Sequence, residues 1–362
     1  MMPSLDAEFA SLGSRYRDGM TSVRIIGSGI AGATLAAALD RPEWTVTVHE
    51  RDPQARALDT AFALFPSAMT ALRRAGLSTA VEKSGVRVDE ATIRSSDGRL
   101  LARPPRLGAL MIGRAQLHSL LTAARPASTP LLTGEVADPT TLAADVLVGA
   151  DGARSAVRSG AWGGRTAPRR PPLTVIRGVI DADLSAGAVT EYWGDRMLFG
   201  ITPLPGNRTN WFTAFPERRF ATTAAGLDHL RRAARVFPSP VTAVVEAART
   251  GQTVISGIHV SRPLRSFVRG RTVLIGDSAH AMQPNLGRGA CESICDAVTL
   301  AELLNADEPA SALARYSRRR VVTPQVIHSG ASVASGVALA GGPVGRVRDR
   351  VLSALARLGT AP

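Results

Sequence analysis

Apolar residues gather along the chain in short runs that end at glycine. Val23–Ile26 leads into Gly27, Val146–Val148 into Gly149, and Thr272–Ile275 into Gly276. Runs of this length, β-branched and without helical period, predict strands buried inside a sheet. Helical spacing takes over soon afterwards. Residues Ile30 to Leu39 follow the first run, a helix start at Ser155 follows the second, and Ala290, Ile294, Ala297, Ala301 and Leu304 follow the third. Thr45–Glu50 alternates β-branched residues and reads as one more strand. Repeated strand, turn and helix predict an α/β fold.

The turns carry the candidate chemistry. GSGIAG, Gly27 to Gly32, opens the first predicted helix, and Glu50 ends the next strand 23 residues after Gly27. This is the dinucleotide fingerprint, with glycines for the turn, for pyrophosphate approach and for helix packing, and an acidic residue for ribose hydroxyls. In GDSAHAMQPNLGRGA, Asp277 stands at the carboxyl end of a buried strand, where open α/β sheets bind ligands. Pro284 stiffens the loop that follows, and Gly287 and Gly289 let backbone approach a flat ring. A helix beginning near Gly289 turns its free N–H groups toward that loop and favours a ring that gains negative charge. The third turn, Gly149 to Gly152, holds Asp151, which reads either as a helix cap or as a cofactor contact.

On these motifs the chain resembles the FAD-dependent monooxygenases of the para-hydroxybenzoate hydroxylase type, in their epoxidase and aromatic hydroxylase branch. The resemblance runs over roughly residues 22 to 330. It implies FAD diphosphate on Gly27, Gly29, Ile30, Ala31 and Gly32, and adenosine ribose on Glu50, with Arg51 beside it. Arg114, opening an Arg-x-x-Leu helix, contacts FAD in that pattern, and Asp151 and Gly152 serve FAD and NAD(P)H, with Ser155 and Arg158 in place. Asp277 matches the ribityl contact, and Pro284, Gly287, Arg288, Gly289 and Ala290 lie where the family borders the isoalloxazine. The implied fold is a Rossmann-like FAD-binding domain interleaved with an antiparallel-sheet substrate domain. Its FAD-binding parts are residues 21–76, 106–165 and 258–330, its substrate-domain parts 77–105 and 166–257. A loosely ordered extension, 1–20, precedes them and a helical tail, 331–362, follows.

Three positions depart from the pattern. Arg288 and Cys291 stand where the family usually has Gln and Asn, and Asp59 replaces a usual Gly. Arg288 either reaches the flavin or substrate, as a possible catalytic group, or points into solvent. Cys291 and Cys295, one helical turn apart, read as core packing, with covalent flavin attachment the remote option, and His280 reads as a buried structural residue. No metal site is expected.

The substrate lobe centres on EYWGDRMLFGITPL (191–204) and TNWFTAF (209–215), expected to pair across a Pro-Gly turn. Alternation along a single strand puts Met197, Phe199 and Ile201 on a core face and Arg196, Leu198 and Gly200 on the ligand face, with Asn210 and Phe212 as companions. The opposite parity stays open.

Composition narrows the function classes. A net charge of +13 raises nucleic acid as a partner, yet only one of 43 basic residues is lysine, the arginines are scattered, and aromatics make up 4%. A carboxylated substrate or acidic partner protein fits better. No run of 18 apolar residues occurs, and the charged N-terminus lacks a signal-peptide core, so a cytoplasmic protein without a membrane span is expected. The resemblance implies that NADPH or NADH reduces FAD and that O2 forms a flavin 4a-hydroperoxide. This then hydroxylates or epoxidises an electron-rich aromatic or alkene, as in secondary metabolism. The rival is a dehydrogenase or reductase of the same fold that inserts no oxygen.

Overall fold

The protein is described here from a computed structural model that covers residues 20–53 and 58–358. The expected N-terminal extension lies outside the described residues except for Met20.

The predicted buried strands form the centre of a six-stranded sheet. In spatial order it runs Val268–Arg269, Thr272–Leu274, Val146–Gly149, Ser22–Ile26, Thr45–Glu50 and Leu131–Thr133, all parallel except the first pair. Val23, Ile25, Val146, Leu147, Val148 and Val273 are fully buried, which is why these segments carry no polar alternation. Helices Ile30–Ala38 and Gly289–Ala306 pack on this sheet through Leu35, Ala36, Ala297, Leu300 and Leu304. Parallel order brings the carboxyl ends of the strands, and with them Gly27, Glu50, Asp151 and Asp277, to one edge of the sheet.

A seven-stranded sheet forms the second layer. Its order is Thr253–Gly257, Leu173–Ile180, Arg208–Pro216, Leu198–Leu204, Val189–Trp193, Ala91–Ser95 and Leu100–Ala102, antiparallel except where Val189–Trp193 runs parallel to Ala91–Ser95. One face buries Met197, Phe199, Ile201, Trp211 and Ile176 against helices Thr223–Ala233 and Ser239–Ala247. Phe199 and Trp211 stack there with ring centroids 5.7 Å apart, each side chain contributing on the order of 2–3 kcal/mol by leaving water. The core parity expected for Met197, Phe199 and Ile201 is observed.

The single long strand expected over residues 191–204 is not observed. Residues 189–204 instead form a hairpin, Val189–Trp193 and Leu198–Leu204, closed by a turn in which Arg196 adopts a positive φ of 53°. Asp195 and Arg196 are exposed at the tip, against Gly341. Gly194 allows the bend, since a Cβ there would sit 2.8 Å from the Phe237 ring.

A third sheet of Ala61–Leu64, Ala109–Gly113 and Val86–Val88 joins the two layers. Asn210 ties it to the large sheet by accepting a hydrogen bond from the Ala61 N–H at 3.0 Å. Helices Thr323–Ala338 and Gly342–Leu358 close the end of the large sheet through Ala338 and Leu352, over Trp193 and Leu198. Among the described residues, no helix is long and apolar enough to cross a membrane.

Candidate active site

The first turn separates three demands on glycine. Gly27 takes φ 98°, and a Cβ on it would lie 2.4 Å from the Ala150 carbonyl oxygen. Gly32 meets the Gly27 carbonyl oxygen at 2.0 Å from an ideal Cβ, so only a bare Cα lets helix and turn touch. Gly29 faces open space, with nothing within 4 Å. That opening lies at the N-terminus of helix Ile30–Ala38, which has no side-chain cap. Uncapped N–H groups of Ile30, Ala31 and Gly32 beside an open approach fit a pyrophosphate.

Glu50 is fixed beside this turn. One of its oxygens accepts from the Ser28 N–H at 2.7 Å and hydroxyl at 3.0 Å, the other from the Asp52 N–H at 3.1 Å. Burial works to raise its pKa, but the donors from Ser28, Asp52 and Arg51 outweigh it and hold the carboxyl below its usual range. An ionised acceptor results, suited to ribose hydroxyls. Arg51 is exposed next to it, with its nearest carboxylate, Glu135, at 3.9 Å.

Asp277 opens the short helix Asp277–His280, exposed, near Gly289 and facing the Arg114 guanidinium. Arg114 lies 4.6 Å over the Phe62 ring, and its Nε is buried with no partner. A desolvated cation with an unanswered donor is a group arranged for a ligand. Gly289 and Ala290 begin helix Gly289–Ala306 without a side-chain cap, while Pro284 lies in a 3-10 turn ended by Gly287 in the left-handed region.

Asp151 takes the first of its two expected roles, the helix cap, with one oxygen only. One oxygen caps helix Ala156–Trp162, accepting from the Ala156 and Val157 N–H groups at 2.7 and 3.2 Å; the other is buried and unpartnered. Burial raises its pKa. Gly152, at φ 79°, faces open space beside it. Arg158 is buried and braces two turns, donating to the carbonyls of Ala279 at 2.8 Å, of Ser278 at 3.2 Å and of Arg262.

Arg288 is neither in solvent nor a free cation at the ring, so the possible catalytic role for its guanidinium is not supported. It donates to Glu292 at 2.9 Å and Ser67 at 3.2 Å and lies 5.1 Å over Phe65. Glu292 in turn accepts from Arg320 at 2.6 Å, Arg320 donates to Asp296 at 2.6 Å, and Asp296 pairs with His280 at 2.5 Å. The sequence expectation found His280 but missed this chain, whose members are spread from 280 to 320. Cys291 packs as expected, bonded to the Phe65 N–H and Ala63 carbonyl, and burial pushes its thiol up to about 12. Asp59, the third departure, caps helix Arg114–Ala123 through the Ala115 N–H at 2.9 Å and pairs with Arg208 at 3.1 Å. Gly113 leaves it room, since a Cβ there would lie 2.2 Å from the carboxylate.

The inner face of the large sheet looks toward this edge. Leu198 is buried with Trp193, Ala214 and Val175 under Ala338 and Val260, and Asn210 is committed to Ala61 and Thr202. Both serve packing, as Arg196 serves the turn. Between those two covered rows lies a third, in direct register, of Arg177, Phe212, Gly200 and Glu191. Arg177, Phe212 and Glu191 are only half-buried, whereas Val175, Ala214, Leu198 and Trp193 on one side and Val179, Asn210 and Thr202 on the other are buried. The Phe212 ring covers Gly200, where a Cβ would come within 2.2 Å of it. Arg177 and Glu191 were missed because nothing local in the sequence marks them.

A dinucleotide turn, an ionised carboxylate beside it, a second helix N-terminus and a sheet face carrying an aromatic ring make a site whose donor set fits FAD. Known proteins carry the same assignment. Residues 106–329 match the family described as FAD binding domain. Aurachin C monooxygenase/isomerase of Stigmatella aurantiaca is 33% identical over 84% of this chain and 86% of its own length. 3-Amino-4-hydroxybenzoate 2-monooxygenase of Streptomyces cremeus is 30% identical over 84% of each. In fold, the crystal structure of Klebsiella pneumoniae HpxO with FAD and uric acid superposes with a TM-score of 0.81, at 22% identity over 94% of each chain. The chain belongs to the FAD-dependent monooxygenases. It is a flavoprotein oxidoreductase, and nothing supports the reductase alternative.

Proposed function

We propose that this protein hydroxylates a planar, electron-rich aromatic small molecule, consuming O2 and NADPH or NADH. The observation that carries the reading is the half-buried row Arg177–Phe212–Gly200–Glu191, a flat polar-edged surface on the sheet face directed at the FAD-binding edge. Relatives named for 3-amino-4-hydroxybenzoate and 6-hydroxynicotinate support a small aromatic substrate. Bound FAD supplies the redox and oxygen-transfer chemistry that side chains lack.

The chain's residues hold and orient. The N–H groups of Ile30, Ala31 and Gly32, approached across Gly29, bind the pyrophosphate, and Glu50 binds the ribose, with Arg51 at its rim. Asp277 accepts from the ribityl hydroxyls, Arg114 answers the cofactor's polar edge, and Asp151 offers its spare oxygen at Gly152. Gly289 and Ala290 bring free backbone N–H groups to the ring, where they favour negative charge, and Gly287, whose N–H is bonded to the Pro284 carbonyl, lets the backbone approach. Pro284 stiffens that loop, and Arg288 holds the helix end through Glu292. Phe212 gives the substrate a wall to stack on.

The test is direct. The purified protein should be yellow, and NAD(P)H consumption across hydroxylated and aminated aromatics in labelled dioxygen should give products carrying the label. A colourless protein that cannot take up FAD, or products without label, would end this reading.

A further inference from the structure

The inner row of the large sheet has opposite chemistry at its two ends. Arg177 and Glu191 are separated by the two strands that carry Phe212 and Gly200, so three strand spacings, about 14 Å, lie between their backbones. Residues in direct register share one face, and both side chains are long enough to reach inward over Phe212. The Phe212 ring covers Gly200 between them and offers a planar substrate an aromatic face to stack on.

Neither end is used up by the protein. Glu191 accepts one hydrogen bond, from the Trp193 indole N–H at 2.9 Å, which leaves its second oxygen without a partner among the described residues. Arg177 has no carboxylate or carbonyl partner among the described residues, and its nearest charge is another cation, Arg114. Burial lowers the Arg177 guanidinium to about 10, with Arg114 adding to the effect, and burial raises the Glu191 carboxyl. No charged side chain acts on Glu191 directly. Arg348, from the C-terminal helix, lies over the far side of the Trp193 ring at 5.4 Å and is itself paired with Asp349. Holding an unpaired acid and an unpaired base on an inner sheet face costs stability, and such groups are kept where a ligand answers them.

Resting on the monooxygenase reading above, we propose that Glu191 takes the proton from a ring hydroxyl or ring N–H of the substrate, while Arg177 holds the negative charge at the opposite edge. The substrate class is then a phenol or hydroxylated N-heterocycle, and a neutral alkene is excluded. The O–H or N–H bond breaks, its proton passes to a Glu191 carboxylate oxygen, and its electron pair stays on the ring, enriching the carbon to be oxidised. Oxygen transfer by the family's activity consumes that electron density, the carbon-bound proton shifts to restore aromaticity, and Glu191 returns its proton to solvent. With a base of raised pKa, turnover rises with pH through a limb placed above the ordinary carboxylate range.

The experiment uses the FAD-loaded full chain with four probes: 3-amino-4-hydroxybenzoate, its 4-methoxy ether, 4-hydroxyquinoline and N-methyl-4-quinolone. Label incorporation and the flavin absorbance change on binding are followed against pH. The wild type should convert a donor-bearing probe and neither blocked one. Glu191→Gln should lower kcat on that probe by roughly 10²–10⁴-fold, leave KM within about threefold, and abolish the acid limb. Arg177→Gln should instead raise KM by about tenfold or more, and most for the carboxylated probe. The proposal is overturned if Glu191→Gln keeps the wild-type kcat and acid limb, if blocked probes react as fast as the others, or if yellow enzyme binds none of the four. Colourless protein or unlabelled product overturns the monooxygenase reading, and this proposal with it.

Discussion

Asp296→Asn tests whether the buried network behind the cofactor turn holds the site together. Asp296 is fully buried and answers three donors: the Gly276 N–H at 2.9 Å, His280 Nε2 at 2.5 Å and Arg320 Nε at 2.6 Å. His280 and Arg320 are nearly buried themselves, at 1% and 12% exposure, so water cannot replace the lost charge. Asparagine keeps the shape but offers a single acceptor oxygen and turns an N–H group toward a donor. Removing one partner of a buried pair typically costs about 3–5 kcal/mol, and the upper half of that range applies because two cationic groups lose the same partner. In urea unfolding followed by tryptophan fluorescence, the midpoint should fall by about 1 M. The surface pair Arg74–Glu302, 51% and 40% exposed, is the control; Glu302→Ala should cost under about 1 kcal/mol. The pH dependence follows from the signs. Burial works against both charges, yet the pair outweighs it, lowering the Asp296 pKa and raising that of His280. The Asp296 contribution is lost as pH falls through its depressed pKa, and the His280 contribution as pH rises through its raised one. Wild-type stability should therefore be highest in between, and the variant's profile should be flatter at both ends. A loss below about 1 kcal/mol with an unchanged pH profile would refute the reasoning.

Other expectations follow from the same geometry. Asp277→Ala removes an exposed carboxylate with no hydrogen bond to the protein among the described residues. The Kd for FAD should rise about 10- to 100-fold by fluorescence titration while the urea midpoint stays put. Gly32→Ala places a Cβ 2.0 Å from the Gly27 carbonyl oxygen, so both FAD occupancy after purification and the thermal midpoint should drop; a yellow, wild-type-like variant would contradict that contact. Native Cys291 should resist alkylation by iodoacetamide at neutral pH, because burial lifts its thiol to about 12, and should label at once in urea.

Much of the cofactor edge was legible in the sequence by itself, since its determinants are local. A buried strand, a tight turn and a helix N-terminus are coded within about ten residues, and Gly27, Gly32, Glu50 and Asp277 each answer a backbone or charge requirement of that unit. The Val146–Gly149 strand followed from the same apolar continuity, and Thr45–Glu50 from its alternating β-branched residues. Only the tertiary structure decided what crosses between units. Arg196 looked like a strand residue because alternation continues through Gly194, and the Phe237 ring that closes on Gly194 comes from a link between helices some 40 residues away. The Arg288–Glu292 pair is local, at i and i+4 on one helix, but Ser67 and Arg320, which complete the cluster, arrive only when helices Pro66–Arg74, Gly289–Ala306 and Pro309–Arg320 pack. The row of Arg177, Phe212, Gly200 and Glu191 depends on the pairing register of four strands. Register is set by long-range packing of the opposite face, and a slip of one residue would send every one of these side chains to the wrong side.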